Sequence, residues 1–229
     1  MIDLNSLALY KNKISSFIDE NVLNLSSISN ILSLFKIKIK NYTGNGISKR
    51  GNVKIDENGI ATNFINKTDY VVTNLNVLDL KLPFEVQVKF KVSDKAAFNE
   101  LHLISNETSK RPYFELIIER SEIRCRSYKH KSNTGCELFR DSFDFNADRW
   151  YILNMKHEQK GIYECTVYDE NYNELYNKTQ NSNFEILYYS DIIILGNDVD
   201  YVTGSATLQI DLSETYFKNG DTIISKWNL

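Results

Sequence analysis

The run Phe84-Glu85-Val86-Gln87-Val88-Lys89-Phe90-Lys91-Val92 places an apolar side chain at every second position without a fault. Successive side chains of an extended chain leave on opposite faces, so this period of two describes a strand with one buried face and one wet face. The same alternation returns in Trp150–His157 and Ile162–Asp169, which Gln159-Lys160-Gly161 joins as a hairpin. Shorter segments of the same kind predict strands at 53–55, 60–63, 70–72, 101–105, 113–119, 122–128, 137–140, 191–195, 206–212 and 223–227. So many short strands, punctuated by turns and without intervening helices, bury their apolar faces most economically as two facing antiparallel sheets. The composition agrees, because 14 Tyr and 12 Phe against 2 Pro suit strands.

The first forty residues follow another period. With Leu4 at heptad position a, the a and d positions read Leu4, Leu7, Lys11, Ile14, Ile18, Asn21, Leu25, Ile28, Leu32 and Phe35. Such a seam predicts a short coiled coil, with Lys11 and Asn21 as the polar residues that fix register. Two short helices broken at Ser26-Ser27 and folded back on the sandwich are the alternative, since isolated helices of this length are marginal. Gly44, Gly46 and Gly51 then mark a junction. The expected organisation is a helical segment over 1–40, a junction over 41–51 and the sandwich over 52–229.

A formal net charge of −3 with scattered basic residues provides no field for a polyanion, which argues against nucleic acid as a partner. No stretch approaches the roughly twenty apolar residues of a membrane span, and Met1-Ile2-Asp3 does not open a signal peptide. Cys125, Cys136 and Cys165 show no metal-ligand spacing and are expected as buried free thiols, although Cys125 and Cys136 could face each other across a hairpin around Lys131.

Catalytic patterns were sought among the acidic residues. Two or three carboxylates alternating on one strand would hold the acid and nucleophile of a glycoside hydrolase, and no such run exists. Glu119 and Glu122 flank a turn and Asp169, Glu170 and Glu174 gather at a strand end, as solvated turn carboxylates do. His102, His130 and His157 lie on separate segments, and there is neither a phosphate loop nor a nucleophile elbow. The expectation is a protein that binds and does not catalyse.

A glycan is held by rings that cover the apolar faces of sugars beside polar groups that take the hydroxyls. Arg124, Arg126 and Tyr128 share one strand face, opposite Ile123 and Cys125, and Tyr113, Glu115 and Ile117 are their expected neighbours across the hairpin. This is the candidate ligand site; an ordinary solvated sheet face is the other reading. Trp150 is either a platform or a core residue.

Three stretches in order resemble the concanavalin A-like jelly roll, particularly its laminin-G-like version. They are FEVQVKFKVSD at 84–94, DRWYILNMKHEQKGIYECTVYD at 148–169, and a closing run over 192–227 with Leu195-Gly196-Asn197, Gly204, Ile210-Asp211-Leu212, Asn219-Gly220 and Trp227. The resemblance implies an all-β jelly-roll β-sandwich and a lectin-like function. Some laminin-G-like domains hold calcium in rim loops, which makes Asp198 and Asp200 the weak candidate ligands and calcium the one cofactor implied. The N-terminal Leu-Ala-Leu-Tyr-Lys-Asn-Lys-Ile run resembles helices that open phage tail proteins. Together they imply a homo-oligomer, with a trimer favoured, in a virion tail or bacterial surface assembly beside other tail or surface proteins, made in the bacterial cytoplasm and touching a surface glycan. A purely structural assembly domain is the alternative, and a hydrolase or lyase is the third reading.

Overall fold

The computed structural model describes residues 48–72, 83–106, 114–128, 135–158, 161–182, 193–197 and 207–226. The heptad residues, Tyr113, Asp198 and Asp200 lie outside these, as do the side chains of Tyr128 and Cys136. In chain order the strands are β1 (Ser48–Lys49), β2 (Lys54–Ile55), β3 (Ile60–Thr62), β4 (Val71–Val72), β5 (Phe84–Val92), β6 (Glu100–Asn106), β7 (Phe114–Glu119) and β8 (Glu122–Tyr128). They continue with β9 (Gly135–Ser142), β10 (Trp150–His157), β11 (Ile162–Asp169), β12 (Glu174–Asn181), β13 (Ile193–Leu195), β14 (Leu208–Asn219) and β15 (Thr222–Lys226). A 3-10 turn, Lys95–Asn99, precedes β6, capped by the Asp94 carboxylate on the Ala96 amide.

Every pairing is antiparallel. One sheet runs β1-β4-β13-β6-β7-β8-β9 and the larger one β12-β11-β10-β5-β14-β3-β2, with β15 added beside β14. The alternation in β5 does what it predicts: Phe84, Val86, Val88, Phe90 and Val92 enter the core, together with Tyr151, Leu153 and Met155 of β10 and Tyr163, Cys165 and Val167 of β11. Leu101, Leu103, Phe114, Leu116, Ile118, Ile123 and Cys125 meet them from the other sheet. The chain is an all-β two-sheet sandwich, as expected. At one end Phe98 stacks on Phe145 at 5.2 Å, Phe145 meets Tyr151 edge-on at 5.1 Å, and the buried Tyr151 hydroxyl accepts from the Asn146 amide at 2.8 Å. Each of these buried rings adds roughly 1.5–3 kcal/mol over an exposed one.

Four details differ from the expectations. Ser48 and Lys49 pair with Val72 and Val71, so these residues of the expected junction belong to a sheet. The strand expected over 206–212 runs on to Asn219, because 212–215 form a bulge opposite β5 and the alternation resumes out of phase: Ile210 and Leu212 point inward, then Phe217. The Thr215 hydroxyl closes that bulge on the Asp211 carbonyl at 2.8 Å. β12 was not expected, since Glu174–Asn181 is an exposed edge strand with almost no apolar residue. Finally, Cys125 does not face Cys136. A register shift after Cys125 puts Phe139 opposite Cys125 and Ser127 opposite Cys136, while Cys125 and Cys165 are buried free thiols. Among the described residues no helix is long and apolar enough to cross a membrane.

Candidate functional site

The predicted stripe lies on the outward face of β8, with Ile123 and Cys125 buried behind it. Cross-strand pairing sets Glu115 opposite Arg126 and Ile117 opposite Arg124, the neighbours read from the sequence. The arginines are committed to carboxylates. Arg124 donates to Glu119 and to Glu137, and Arg126 donates to the same Glu119 oxygen. Burial raises the Glu119 carboxyl, but the two guanidinium charges outweigh it and hold the group below its ordinary value. Glu119 and Glu122 are therefore not free turn carboxylates, since Glu122 receives Arg140. Glu115 is 3% exposed, and its Oε1 lies 3.8 Å from the Nδ1 of buried His102. Burial, with the Arg126 charge adding, pulls His102 down to about 3, so the imidazole is neutral at pH 7.

The opposite side of the sandwich offers different chemistry. The outward residues of β5, β10, β11 and β14 form rows across the strands, because directly paired residues share a face. Asn177, Thr166, Asn154, Gln87 and Tyr216 follow one another over β12, β11, β10, β5 and β14. The next row reads Thr179, Glu164, Lys156, Glu85 and Lys218. Glu85 binds both rows together: its Oε1 accepts from Asn154 at 2.8 Å and from the Tyr216 hydroxyl, while Oε2 lies 3.0 Å from the Lys218 ammonium. Burial pushes the Glu85 carboxyl up, yet the Tyr216, Asn154 and Lys218 contacts more than offset it, so Glu85 is ionised.

On the other flank of the polar row stand aromatic rings. Trp150 leads β10 on this outward face, half-buried, with Lys91 Nζ 5.4 Å and Lys89 Nζ 5.7 Å from its ring centroid. Trp150 is therefore not the core residue that the other reading of it expects. Lys89 also pairs with Asp211 at 3.2 Å. Tyr168, opposite Ile152 of β10, has its ring centroid 6.0 Å from that of Tyr172.

Tyr172 is held by a turn whose sequence logic is local. The Asp169 carboxylate accepts from the amides of Asn171 at 2.9 Å and Asn173 at 3.0 Å and from the Asn173 side chain at 2.9 Å. That ring of bonds puts Tyr172 at φ +63°. A non-glycine residue in the left-handed region costs about 1–2 kcal/mol, and a bulky aromatic one is a rarity there. The ring is nevertheless 49% exposed. Its hydroxyl donates to Glu214 of the β14 bulge at 2.6 Å and lies 3.4 Å from Gln87 Nε2, which also donates to the Glu214 carbonyl at 2.8 Å. Burial and then the Glu214 bond push the phenol up to about 12, so it stays a donor at neutral pH.

Sequence reasoning left Trp150 open between platform and core and did not reach its companions. Gln87, Asn154, Thr166 and Glu85 occupy the wet half of strands whose alternation was recognised, so they were legible as outward residues; only the register shows that they form one row. Tyr172 and Glu214 come from a turn and a bulge. Among the described residues no group of three or more His, Cys, Asp or Glu is placed to hold a metal ion.

Neither a protein-family model nor a curated protein matches the chain. Solved structures do. The botulinum neurotoxin serotype D binding domain superposes with a TM-score of 0.56 at 13% identity, covering 78% of this chain and 44% of that one. The binding domain of botulinum neurotoxin DC, solved in complex with rat synaptotagmin II, gives 0.55 at 11% identity over 79% of this chain and 45% of that one. A type C structure, from a toxin whose cell entry depends upon interaction with two ganglioside molecules, gives 0.54 at 11% over 79% and 45%. The chain thus spans less than half the length of these binding domains, and at such identity the likeness is one of fold: a two-sheet β-sandwich of the kind found in them.

Proposed function

We propose that this chain is a non-catalytic, lectin-like binding module that holds a surface glycan on the outward face of its larger sheet. The observation that carries the reading is Tyr172, an exposed ring kept in a strained backbone conformation beside Tyr168 and bonded to Gln87 and Glu214. Strain of this kind persists where surrounding structure over-determines it, and it concentrates at ligand clamps. Rings plus oriented amides and carboxylates are what sugar recognition needs. Of the relatives in fold, one was solved in complex with rat synaptotagmin II and another comes from a toxin whose cell entry depends upon gangliosides, which supports recognition of a host surface. The non-catalytic part rests on the sequence, which has no run of alternating carboxylates of the glycoside-hydrolase kind.

The heptad residues from Leu4 to Phe35 enter this reading as a stalk that gathers several copies and raises avidity. A phage tail or bacterial surface assembly as the carrier rests on the N-terminal run together with the jelly-roll resemblance, whereas the relatives in fold are toxin domains. Light scattering on the full chain tests the stalk: a monomer removes it. A glycan array, followed by titration calorimetry on the best hit, tests the site. Trp150→Ala and Tyr172→Ala are each expected to weaken binding about tenfold or more, near 1.4 kcal/mol. A blank array, or a loss confined to Arg126→Ala on the other sheet, would overturn it.

A further inference from the structure

We infer that the ligand of this face is an extended, uncharged oligosaccharide lying across the strands, an inference that rests on the glycan reading above. Three observations define it. The row Asn177, Thr166, Asn154, Gln87 and Tyr216 is uncharged and unbroken over five neighbouring strands. At about 4.8 Å between strands its four gaps span roughly 19 Å, the length of some four linked pyranose rings and far more than a terminal sugar occupies.

The second observation is burial. Thr166, Gln87 and Asn154 are only 2%, 4% and 5% exposed although they point away from the core. Polar groups so placed are costly unless bonded, and these bond to more exposed neighbours. Thr166 accepts from the exposed Asn177 side chain at 3.0 Å, Asn154 holds Glu85, and Gln87 holds the Tyr172 hydroxyl. The row is therefore a floor that orients hydroxyl-binding groups at intervals along its whole length, not at one end.

The third is charge. Along the neighbouring row Glu164, Lys156, Glu85 and Lys218 alternate in sign strand by strand, and Lys89 is paired with Asp211. Alternation cancels the field over the face, so an acidic sugar gains nothing by binding there, and affinity is expected to be insensitive to salt.

The experiment uses the full chain and neutral homo-oligosaccharides of glucose, mannose, galactose and N-acetylglucosamine, from the monosaccharide to roughly the hexasaccharide, with sialylated counterparts. Affinity for one neutral series should rise about tenfold or more between two and four sugars and then level off. It should also hold steady between about 50 and about 500 mM salt. Asn177→Ala, at the far end of the row from Tyr216, should shorten the length at which affinity levels off. Equal affinity for the monosaccharide and the longest member overturns the extended ligand while leaving the glycan reading standing. A preference for sialylated members that fades with salt overturns the uncharged one. No binding to any sugar removes the glycan reading and this inference together.

Discussion

Replacing Asp69 with Asn tests whether a single buried carboxylate holds the rim of the sandwich. Asp69 is 0% exposed. One oxygen accepts from the Asn52 amide at 2.8 Å and the Asn52 side chain at 3.4 Å; the other accepts from the amides of Asn66 at 2.8 Å and Ile65 at 3.2 Å and from the Asn66 side chain at 3.1 Å. Gly51, at φ +61°, has no side chain because a Cβ there would run into that carboxylate. An asparagine keeps one acceptor. Placed toward Asn66 and Ile65, it turns its NH2 on the Asn52 amide and strands a buried donor, at a cost of about 1–3 kcal/mol. The bonds it keeps fall from charged to neutral strength, about another 1 kcal/mol.

The expected loss is therefore roughly 2–4 kcal/mol at neutral pH, or a fall in Tm of about 5–15 °C for a domain of this size. Urea unfolding with an unchanged slope measures it. Burial would raise the Asp69 carboxyl, but the amides of Asn52, Asn66 and Ile65 outweigh it and hold it below the model-peptide range. A group lowered on folding contributes stability above its unfolded value, near 3.9, and loses it as pH falls through the folded one. The gap between wild type and Asp69→Asn should accordingly close as the pH drops below about 4. A loss under about 0.5 kcal/mol at pH 7, or a gap that does not close in acid, refutes the reasoning.

Tyr172→Gly removes the ring but relieves the left-handed backbone, so melting should shift by less than about 3 °C while glycan binding falls; a large destabilisation would mean the ring is structural. Gln180 mimics a peptide toward the edge of β9, accepting from the Arg140 amide at 2.9 Å and donating to its carbonyl at 2.6 Å. Gln180→Ala should cost about 1–2 kcal/mol and bare that edge for pairing with other chains, read as concentration-dependent association in ultracentrifugation, and no association would dismiss the role. Burial pushes the thiols of Cys125 and Cys165 upward, so neither should react with a thiol reagent at pH 8 until the chain is unfolded; fast labelling of the native protein mapped to either of these two positions would contradict the core described.

Side-chain periodicity alone determined the class of fold and the strands that alternate cleanly. Phe84–Val92, Glu122–Tyr128, Trp150–His157 and Ile162–Asp169 lie where it puts them, since burying one face of a pleated strand demands that pattern. The outward placement of Arg124 and Arg126 was legible for the same reason. Their pairing with Glu119 and Glu137 was not, because an ion pair across strands depends on register, and a register shift within β8–β9 also carried Cys136 away from Cys125.

Tertiary structure alone decided three matters. It made a strand of Glu174–Asn181, whose apolar content is too low to signal one but whose backbone completes β11 and whose Tyr176 and Lys178 reach Asp141. It carried β14 through the bulge at 212–215, where a phase change hides continuity from any reading by alternation. And it assembled the aromatic and polar face, because Gln87, Asn154, Thr166 and Tyr216 lie far apart in the chain and become neighbours only when antiparallel hydrogen bonding fixes which residue stands opposite which. A strand's own residues specify which way each side chain points; its neighbours are specified by the sheet.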